Sequence, residues 1–271
     1  MEPASFERVR VLVREHASIV LEAGKEYLVE ARLMPIARAR GLGSVDELCR
    51  LVGAQGPELD HEIVEAMTTN ETSFFRDHYP FEALRETILP DLIRARAATK
   101  SLRIWCAASS TGQEPYSIAM ILRDHFPAVA DWNIKILATD LSRAVLERGR
   151  KARYRQIEVN RGISAANLVK FFRRKGMEWE LKEEARSLVE FRELNLTRPW
   201  SHGSAFDIIM IRNVLIYFDQ DTKIDILKRA SQLLCSDGYL FLGGSEAMPG
   251  ELTFAFQKVP IPRTGCYRRG A

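Results

Sequence analysis

Four runs in this sequence combine residue types that could hold a polar, charged organic ligand. The first is Met67-Thr68-Thr69-Asn70-Glu71-Thr72-Ser73-Phe74-Phe75-Arg76, where hydroxyls and an amide lead through two aromatics to a guanidinium. The second runs from Arg103-Ile104-Trp105-Cys106-Ala107 through Ala108-Ser109-Ser110-Thr111-Gly112 to Gln113-Glu114-Pro115-Tyr116-Ser117. An apolar run passes there into small residues and then into a helical pattern whose first turn Pro115 suits. Small side chains let a ligand approach the backbone. With one glycine and no lysine, the run is neither the GxGxxG dinucleotide fingerprint nor a P-loop. The third, Asn133–Asp140, is an apolar strand pattern closing on an acid. An acid at the end of a second strand can accept hydrogen bonds from both hydroxyls of a ribose. The plainer reading is that Asp140 caps a helix beginning near Ser142. The fourth, Asp207–Phe218, ends a buried strand in Arg212-Asn213, with Tyr217 following. Helix caps and surface polarity are the plainer readings of the first and fourth runs.

The elements that must position these residues follow from periodicity. The first 75 residues carry helical spacing throughout, as in Phe6, Val9 and Val13. Ser44 with Glu47 three residues on reads as a capping box, and Pro35 predicts a kink or break in the second helix. From about residue 80, β-rich runs (Leu102–Ala107, Ile134–Ala138, Leu188–Phe191, Phe206–Ile211, Tyr239–Leu242) alternate with helical patterns at Pro115–Asp124, Arg143–Arg150 and Thr222–Leu234. That alternation predicts βαβ units and a parallel sheet. Phe254–Val259 and Cys266–Arg268 read as a terminal antiparallel hairpin on the sheet edge. Residues 151–192 interrupt the alternation with a helical patch, Ala165–Arg174, and two strand-like runs, Met177–Leu181 and Leu188–Phe191. They read as a small antiparallel insertion.

Composition narrows the function classes. The chain has 271 residues, 46% of them hydrophobic and 28% charged, values of an ordinary globular protein. A net charge of +3 disfavours a general nucleic-acid coat. Charge is nonetheless uneven: residues 1–75 hold 8 Lys+Arg and 13 Asp+Glu, whereas residues 151–192 hold 11 and 6. Four separated cysteines without a CxxC pair predict a reduced, cytoplasmic protein, and the five scattered histidines (His16, His61, His78, His125, His202) offer no metal-ligand spacing. No metal is expected. No secretory leader or spanning segment is read in the sequence, so neither secretion nor direct membrane insertion is expected.

The Thr-Thr-Asn-x-Thr-x-Phe-Phe-Arg, Ala-Ser-Ser-Thr-Gly-x-Glu-Pro-Tyr-Ser and Arg-Asn-Val-x-Ile-Tyr-Phe runs, in this order, resemble the chemotaxis receptor methyltransferases known as CheR. The terminal run Gly238-Tyr239-Leu240-Phe241-Leu242-Gly243-Gly244-Ser245-Glu246 extends the resemblance over essentially the whole chain. It implies a Rossmann-like, class I S-adenosylmethionine-dependent methyltransferase sheet with a terminal antiparallel hairpin, an N-terminal all-α domain (1–75) and a methyltransferase domain (76–271). Residues 151–192 would be the family's inserted β-subdomain. It also implies a protein-glutamate O-methyltransferase acting on cytoplasmic helices of chemoreceptors, with S-adenosylhomocysteine as product. Asn70, Thr72, Arg76 and Glu114 would hold the cofactor. Asp140 would take its ribose, Asn195 and Leu196 would face the adenine, and Arg212 and Asn213 would line the methionine end. Arg76 and Tyr217 match positions near the transferring methyl group.

On the substrate side, Arg32, Arg38 and Arg40 are candidates for meeting an acidic receptor helix, although Pro35 and Ile36 stand where the family often carries basic residues. A solvated helix face is the plainer reading. The loop Lys182-Glu183-Glu184-Ala185 is shorter and poorer in glycine than in members that grip a receptor tether, so a tether-independent member is expected, working as a monomer. The competing readings are a methyltransferase of the same fold acting on a small molecule or nucleic acid, and a module that binds the cofactor without catalysis. The Asn-Pro-Pro-Tyr type of motif used for amino groups is replaced by Arg212-Asn213-Val214. A dehydrogenase lacks its glycine fingerprint here.

Overall fold

The structure, a computed structural model, describes residues 1–200 and 205–270. These divide into two compact units: Met1–Thr69 together with Tyr217–Lys223, and Asn70–Ile216 together with the chain from Ile224 onward. The division falls after Thr69, where the sequence suggests residue 75. Residues 70–75 are tied to the second unit by hydrogen bonds at both ends. Ser110 Oγ donates to the Asn70 carbonyl at 2.8 Å, and the Phe75 N–H donates to Ser117 Oγ at 2.9 Å.

The first unit is helical: α1 (Pro3–Ala17), α2 (Glu26–Ala39), α3 (Val45–Arg50) and α4 (Pro57–Met67). Apolar positions three and four apart converge on one core, with Phe6, Val9, Leu12 and Val13 from α1 and Leu59, Ile63, Val64 and Met67 from α4 buried. Ser44 Oγ accepts the Glu47 N–H at 3.2 Å, as a capping box requires. The Glu47 carboxylate turns instead to the Gly43 N–H at 3.0 Å, one residue upstream of the usual partner. Of the kink or break expected at Pro35, the break does not occur: α2 runs through it. Burial of Val29 and Leu33 before the proline and Ile36 and Ala37 after it outweighs the hydrogen bond Pro35 cannot make.

The second unit opens with α5 (Tyr79–Ala83), a π-helical turn (Leu84–Ile88) and α6 (Leu89–Ala95). It continues as β1 (Ser101–Ala107), α7 (Gln113–His125), β2 (Asn133–Asp140) and α8 (Arg143–Lys151). An insertion follows: β3 (Arg153–Arg155), α9 (Gln156–Asn160), α10 (Ala165–Phe171), β4 (Phe172–Lys175), β5 (Glu178–Leu181) and α11 (Glu183–Arg186). The chain then completes the main sheet with β6 (Val189–Glu193), β7 (Phe206–Ile211), α12 (Gln220–Leu233), β8 (Leu234–Leu242), β9 (Phe256–Lys258) and β10 (Gly265–Arg269).

The seven strands lie in the order β6-β2-β1-β7-β8-β10-β9. The first five are parallel, and β10 and β9 form the antiparallel hairpin at the edge. Strand order therefore reverses direction between β1 and β7. In open α/β sheets the carboxyl ends of the strands at such a point bind ligands.

The sequence places Leu188–Phe191 both in the parallel alternation and in the insertion, and the structure has it in the first. The sheet of the insertion is β3-β5-β4, and Val189–Glu193 pairs parallel with β2, Ile136 opposite Val189 and Asp140 opposite Glu193. What draws this strand to the main sheet is Phe191. Its ring fills the space over two glycines, Gly112 and Gly149, where an added Cβ would stand 2.8 and 2.5 Å from it. The partner missing from the insertion is supplied by Phe172–Lys175, the end of the stretch read as helical. At the amino ends of β7 and β8, Arg96 donates to Asp237 at 2.8 and 2.6 Å and to Asp207 at 2.8 Å. That clasp is remote from the carboxyl ends of the strands.

Candidate cofactor-binding and active site

The loop leaving β1 is built of left-handed residues: Ala108, Ser110 and Gly112 have φ of 53°, 49° and 91°. Small side chains tolerate this geometry, which turns backbone groups toward the mouth of the sheet. The Ser109 N–H donates to the Thr139 carbonyl at 2.8 Å, and the Ser110 N–H to Asp140 Oδ2 at 2.9 Å. Asp140 Oδ1 accepts the Ser142 N–H at 3.0 Å, while Ser142 Oγ caps α8 by accepting the Val145 N–H at 3.3 Å. The cap of α8 is therefore Ser142, not Asp140 as the plainer sequence reading has it. The Asp140 carboxylate steers the chain into α8, and it is fixed against the loop after β1. The Leu194 N–H donates to the Asp140 carbonyl at 2.9 Å, bringing the turn after β6 alongside. In that turn Asn195 Oδ1 accepts both the N–H and the hydroxyl of Thr197, at 2.9 and 2.8 Å. Leu196 is buried, and its carbonyl accepts from Trp200 and Arg229.

A second cluster forms at the end of β7. The Arg212 side chain is 1% exposed and donates to Glu114 at 2.8 Å, to Asp77 at 2.8 Å and to the Arg76 carbonyl at 3.0 Å. Burial pushes the Glu114 carboxyl up, and the Arg212 guanidinium opposes that shift. Arg212 thus ties the first turn of α7 to the chain at Arg76-Asp77. Arg76 itself donates to the Glu71 carbonyl at 2.9 Å. Beyond Arg212, Asn213 has φ 59°.

The carboxylate of Glu246 accepts the N–H groups of Gly243, Asn213, Val214 and Leu215 at 2.6 to 2.9 Å. Six of the ten non-glycine residues with left-handed φ among the described residues lie in these loops: Phe75, Asp77, His78, Ala108, Ser110 and Asn213. Strained backbone of this kind persists where surrounding contacts over-determine it.

Of the residues singled out in the sequence, Asn70, Glu114, Asp140, Arg212 and Asn213 are joined through these hydrogen bonds and the loops they stitch together. Thr72 is half-buried two residues after Asn70 and lines the same cleft as it. Asp77 and Glu246 carry comparable weight; Asp77 drew no notice in the sequence, and Glu246 appeared only as the end of the terminal run, without a role. The only signal for Glu246 was its place in the Gly243-Gly244-Ser245 turn after β8. Tyr217 groups with the helical unit, where its carbonyl accepts the Val20 N–H at 3.0 Å. Also in that unit, Arg32 donates to the Met67 and Thr68 carbonyls at 2.7 and 2.9 Å, capping the end of α4. Arg40 pairs with Glu62, and Arg38 is exposed.

Comparisons with known proteins give the family. The model of the CheR methyltransferase SAM-binding domain matches residues 70–264, and that of the CheR methyltransferase all-alpha domain matches residues 4–68. Chemotaxis protein methyltransferase 1 of Pseudomonas aeruginosa is 43% identical over 90% of this chain and 90% of its own length. Chemotaxis protein methyltransferase Cher2 of Pseudomonas putida is 42% identical over the same shares. Among solved structures, PKMT2 from Rickettsia typhi in complex with AdoHcy aligns over 65% of this chain and 26% of that one, at 14% identity and a TM-score of 0.39.

The chain belongs to the CheR methyltransferase family.

The CheR assignment makes the chain a methyltransferase with a SAM-binding domain, and the residues at the sheet mouth suit such a ligand. Ser109 Oγ, in the loop after β1, is buried with no hydrogen-bond partner among the described residues, an unpaired polar atom beside the mouth of the sheet. Beside it stands an oriented carboxylate, the chemistry that receives hydroxyls. Among the described residues no group of three or more His, Cys, Asp or Glu side chains could hold a metal ion, and His202 lies outside them. No described helix is long and apolar enough to cross a membrane.

Proposed function

We propose that this CheR-family protein transfers the methyl group of S-adenosylmethionine to glutamate side chains on the cytoplasmic helices of chemoreceptors, giving glutamyl methyl esters in chemotaxis adaptation. The observation that carries the reading is the pairing of two preorganised centres around one loop. The Asp140 carboxylate is fixed on one side by backbone N–H groups, and the Glu114–Arg212–Asp77 cluster lies on the other. The printed names of relatives, chemotaxis protein methyltransferases at 42–43% identity, support the biological setting.

In this reading Asp140 accepts the ribose hydroxyls, and Asn195 and Leu196 border the adenine. Asn70 and Thr72 close over the methionine portion. Arg212 acts through Glu114 and through the chain at Arg76, while Asn213 lines the methionine end. When bound, S-adenosylmethionine supplies a methyl carbon on a positively charged sulfur, to which a carboxylate oxygen bonds as the S–C bond breaks.

The acceptor carboxylate needs no general base, because a glutamate with a pKa near about 4.3 is already ionised at neutral pH. The chain's contribution is therefore position and exclusion of water. Alignment of two reactants can lower a barrier by roughly 7–11 kcal/mol. Opposite charges disappear along this path, so a dry site favours the transition state. Arg76 orients the acceptor carboxylate without a tight ion pair, which would blunt the nucleophile. Arg32, Arg38 and Arg40 belong to the surface meeting the acceptor helix. Arg38 is the most available of them, since Arg32 and Arg40 already serve α4.

The test is transfer of radiolabelled methyl from the cofactor to a receptor cytoplasmic fragment, followed by mild base. Label released as methanol is the expected result. Base-stable label on the fragment, or cofactor binding without transfer, would overturn the reading.

A further inference from the structure

A second cleft, of about 790 Å³, opens where β8 ends, between the Gly243-Gly244 turn and the connection from β9 to β10. Its outer wall is stiff. Pro260 and Pro262 bracket Ile261, whose N–H donates to the Val259 carbonyl at 2.8 Å and whose carbonyl accepts Thr264 Oγ1 at 2.9 Å. Two cations stand on this wall, Lys258 and Arg263, both exposed. Neither has a carboxylate partner among the described residues. Arg263 lies over the Tyr79 ring, 4.9 Å from its centre, and donates to the Tyr79 hydroxyl. The acid lining the cleft, Glu246, is turned inward to four backbone N–H groups. The opposite wall is open: a Cβ on Gly244 would meet nothing within 4 Å.

One end of the cleft adjoins the site described above, because a Cβ on Gly243 would stand 2.8 Å from both the backbone and side-chain nitrogens of Asn213. The cleft lies at the carboxyl end of β8, the side of the sheet where such folds place ligands.

We infer that this cleft receives an acidic stretch of the acceptor polypeptide, with Lys258 and Arg263 reading carboxylates that flank the methylated glutamate. The inference rests on the proposed glutamate methylation and adds the surface that selects the acceptor. Exposed cations of this kind govern encounter and salt dependence more than the chemical step.

The experiment compares the full chain with its K258E/R263E variant, using radiolabelled S-adenosylmethionine and a receptor cytoplasmic fragment. The variant should raise the KM for the fragment about tenfold, leave kcat at saturating fragment and the cofactor affinity near wild type, and flatten the salt dependence of kcat/KM. K258Q/R263Q, which removes charge without adding acid, should give a smaller shift in the same direction. K100E, at the amino end of β1 where Lys100 pairs with Asp131, should leave the KM unchanged. An unaltered KM in K258E/R263E, or an equal rise in K100E, overturns the inference. Failure of the wild-type protein to esterify any fragment overturns the proposed function instead.

Discussion

Glu246 holds three consecutive amides of the chain leaving β7 and one of its own turn, so a single carboxylate fixes where Asn213 stands. Hydrogen bonds to a charged acceptor each contribute about 1.5–3 kcal/mol. Glu246→Gln keeps the shape but loses the charge and one acceptor oxygen. We expect it to lower stability by about that amount and to raise the KM for the cofactor, read by denaturant melts and steady-state kinetics. A stability loss with an unchanged cofactor KM would confine Glu246 to a structural role. Asp140 and Arg212 were legible in the sequence because each ends an apolar run, the signature of a strand reaching its carboxyl end. Asp77 and Glu246 were not. Their partners lie 135 and 31–33 residues away, and a single chain does not show which distant groups fold together.

Elements carry their own consequences. Gly149 sits inside α8, where alanine would normally be the better helix former by about 1 kcal/mol. The Phe191 ring forbids it, because an added Cβ would lie 2.5 Å from that ring. Gly149→Ala should therefore destabilise the protein by about 1–3 kcal/mol, and adding Phe191→Leu should recover part of the loss in a double-mutant cycle of thermal melts.

In the insertion, Glu180 accepts from Lys175, Arg173 and Arg153 across the three strands, and these hold its carboxyl at about 2. In the unfolded chain it would titrate near about 4.3. Its contribution is therefore complete above the unfolded value and is lost as pH falls toward 2. Melting temperatures measured between pH 6 and pH 2.5 should fall less steeply in Glu180→Gln than in the wild type; identical slopes would contradict this. The alternation of strands and helices was legible because each element keeps its own period. Leu188–Phe191 was read both into the parallel alternation and into the insertion, because a short apolar run fits either sheet; the glycines beneath Phe191 favour the first.

At the scale of the molecule, a ligand that binds only the folded chain stabilises it in proportion to its occupancy. S-adenosylmethionine at a hundredfold excess over its dissociation constant should add about 2.7 kcal/mol to the unfolding free energy. Asp140→Ala should weaken cofactor binding by about 1–3 kcal/mol and erase most of that gain at the same concentration, as calorimetric titration and denaturant melts would show. Unchanged affinity would remove Asp140 from the ribose site. The succession of an all-helical portion and an α/β portion could be read from composition and periodicity, since both are properties of contiguous sequence. That Tyr217–Lys223 groups with the first helices could not, because nothing local marks a segment that returns to an earlier neighbourhood.

The helical unit is woven from two separated lengths of chain. No single scissor cut in the gene would release it whole. A transplant onto another scaffold would have to carry a splint copied from Tyr217–Lys223, and chimeras made by swapping front ends between relatives would need to exchange both pieces in the same step.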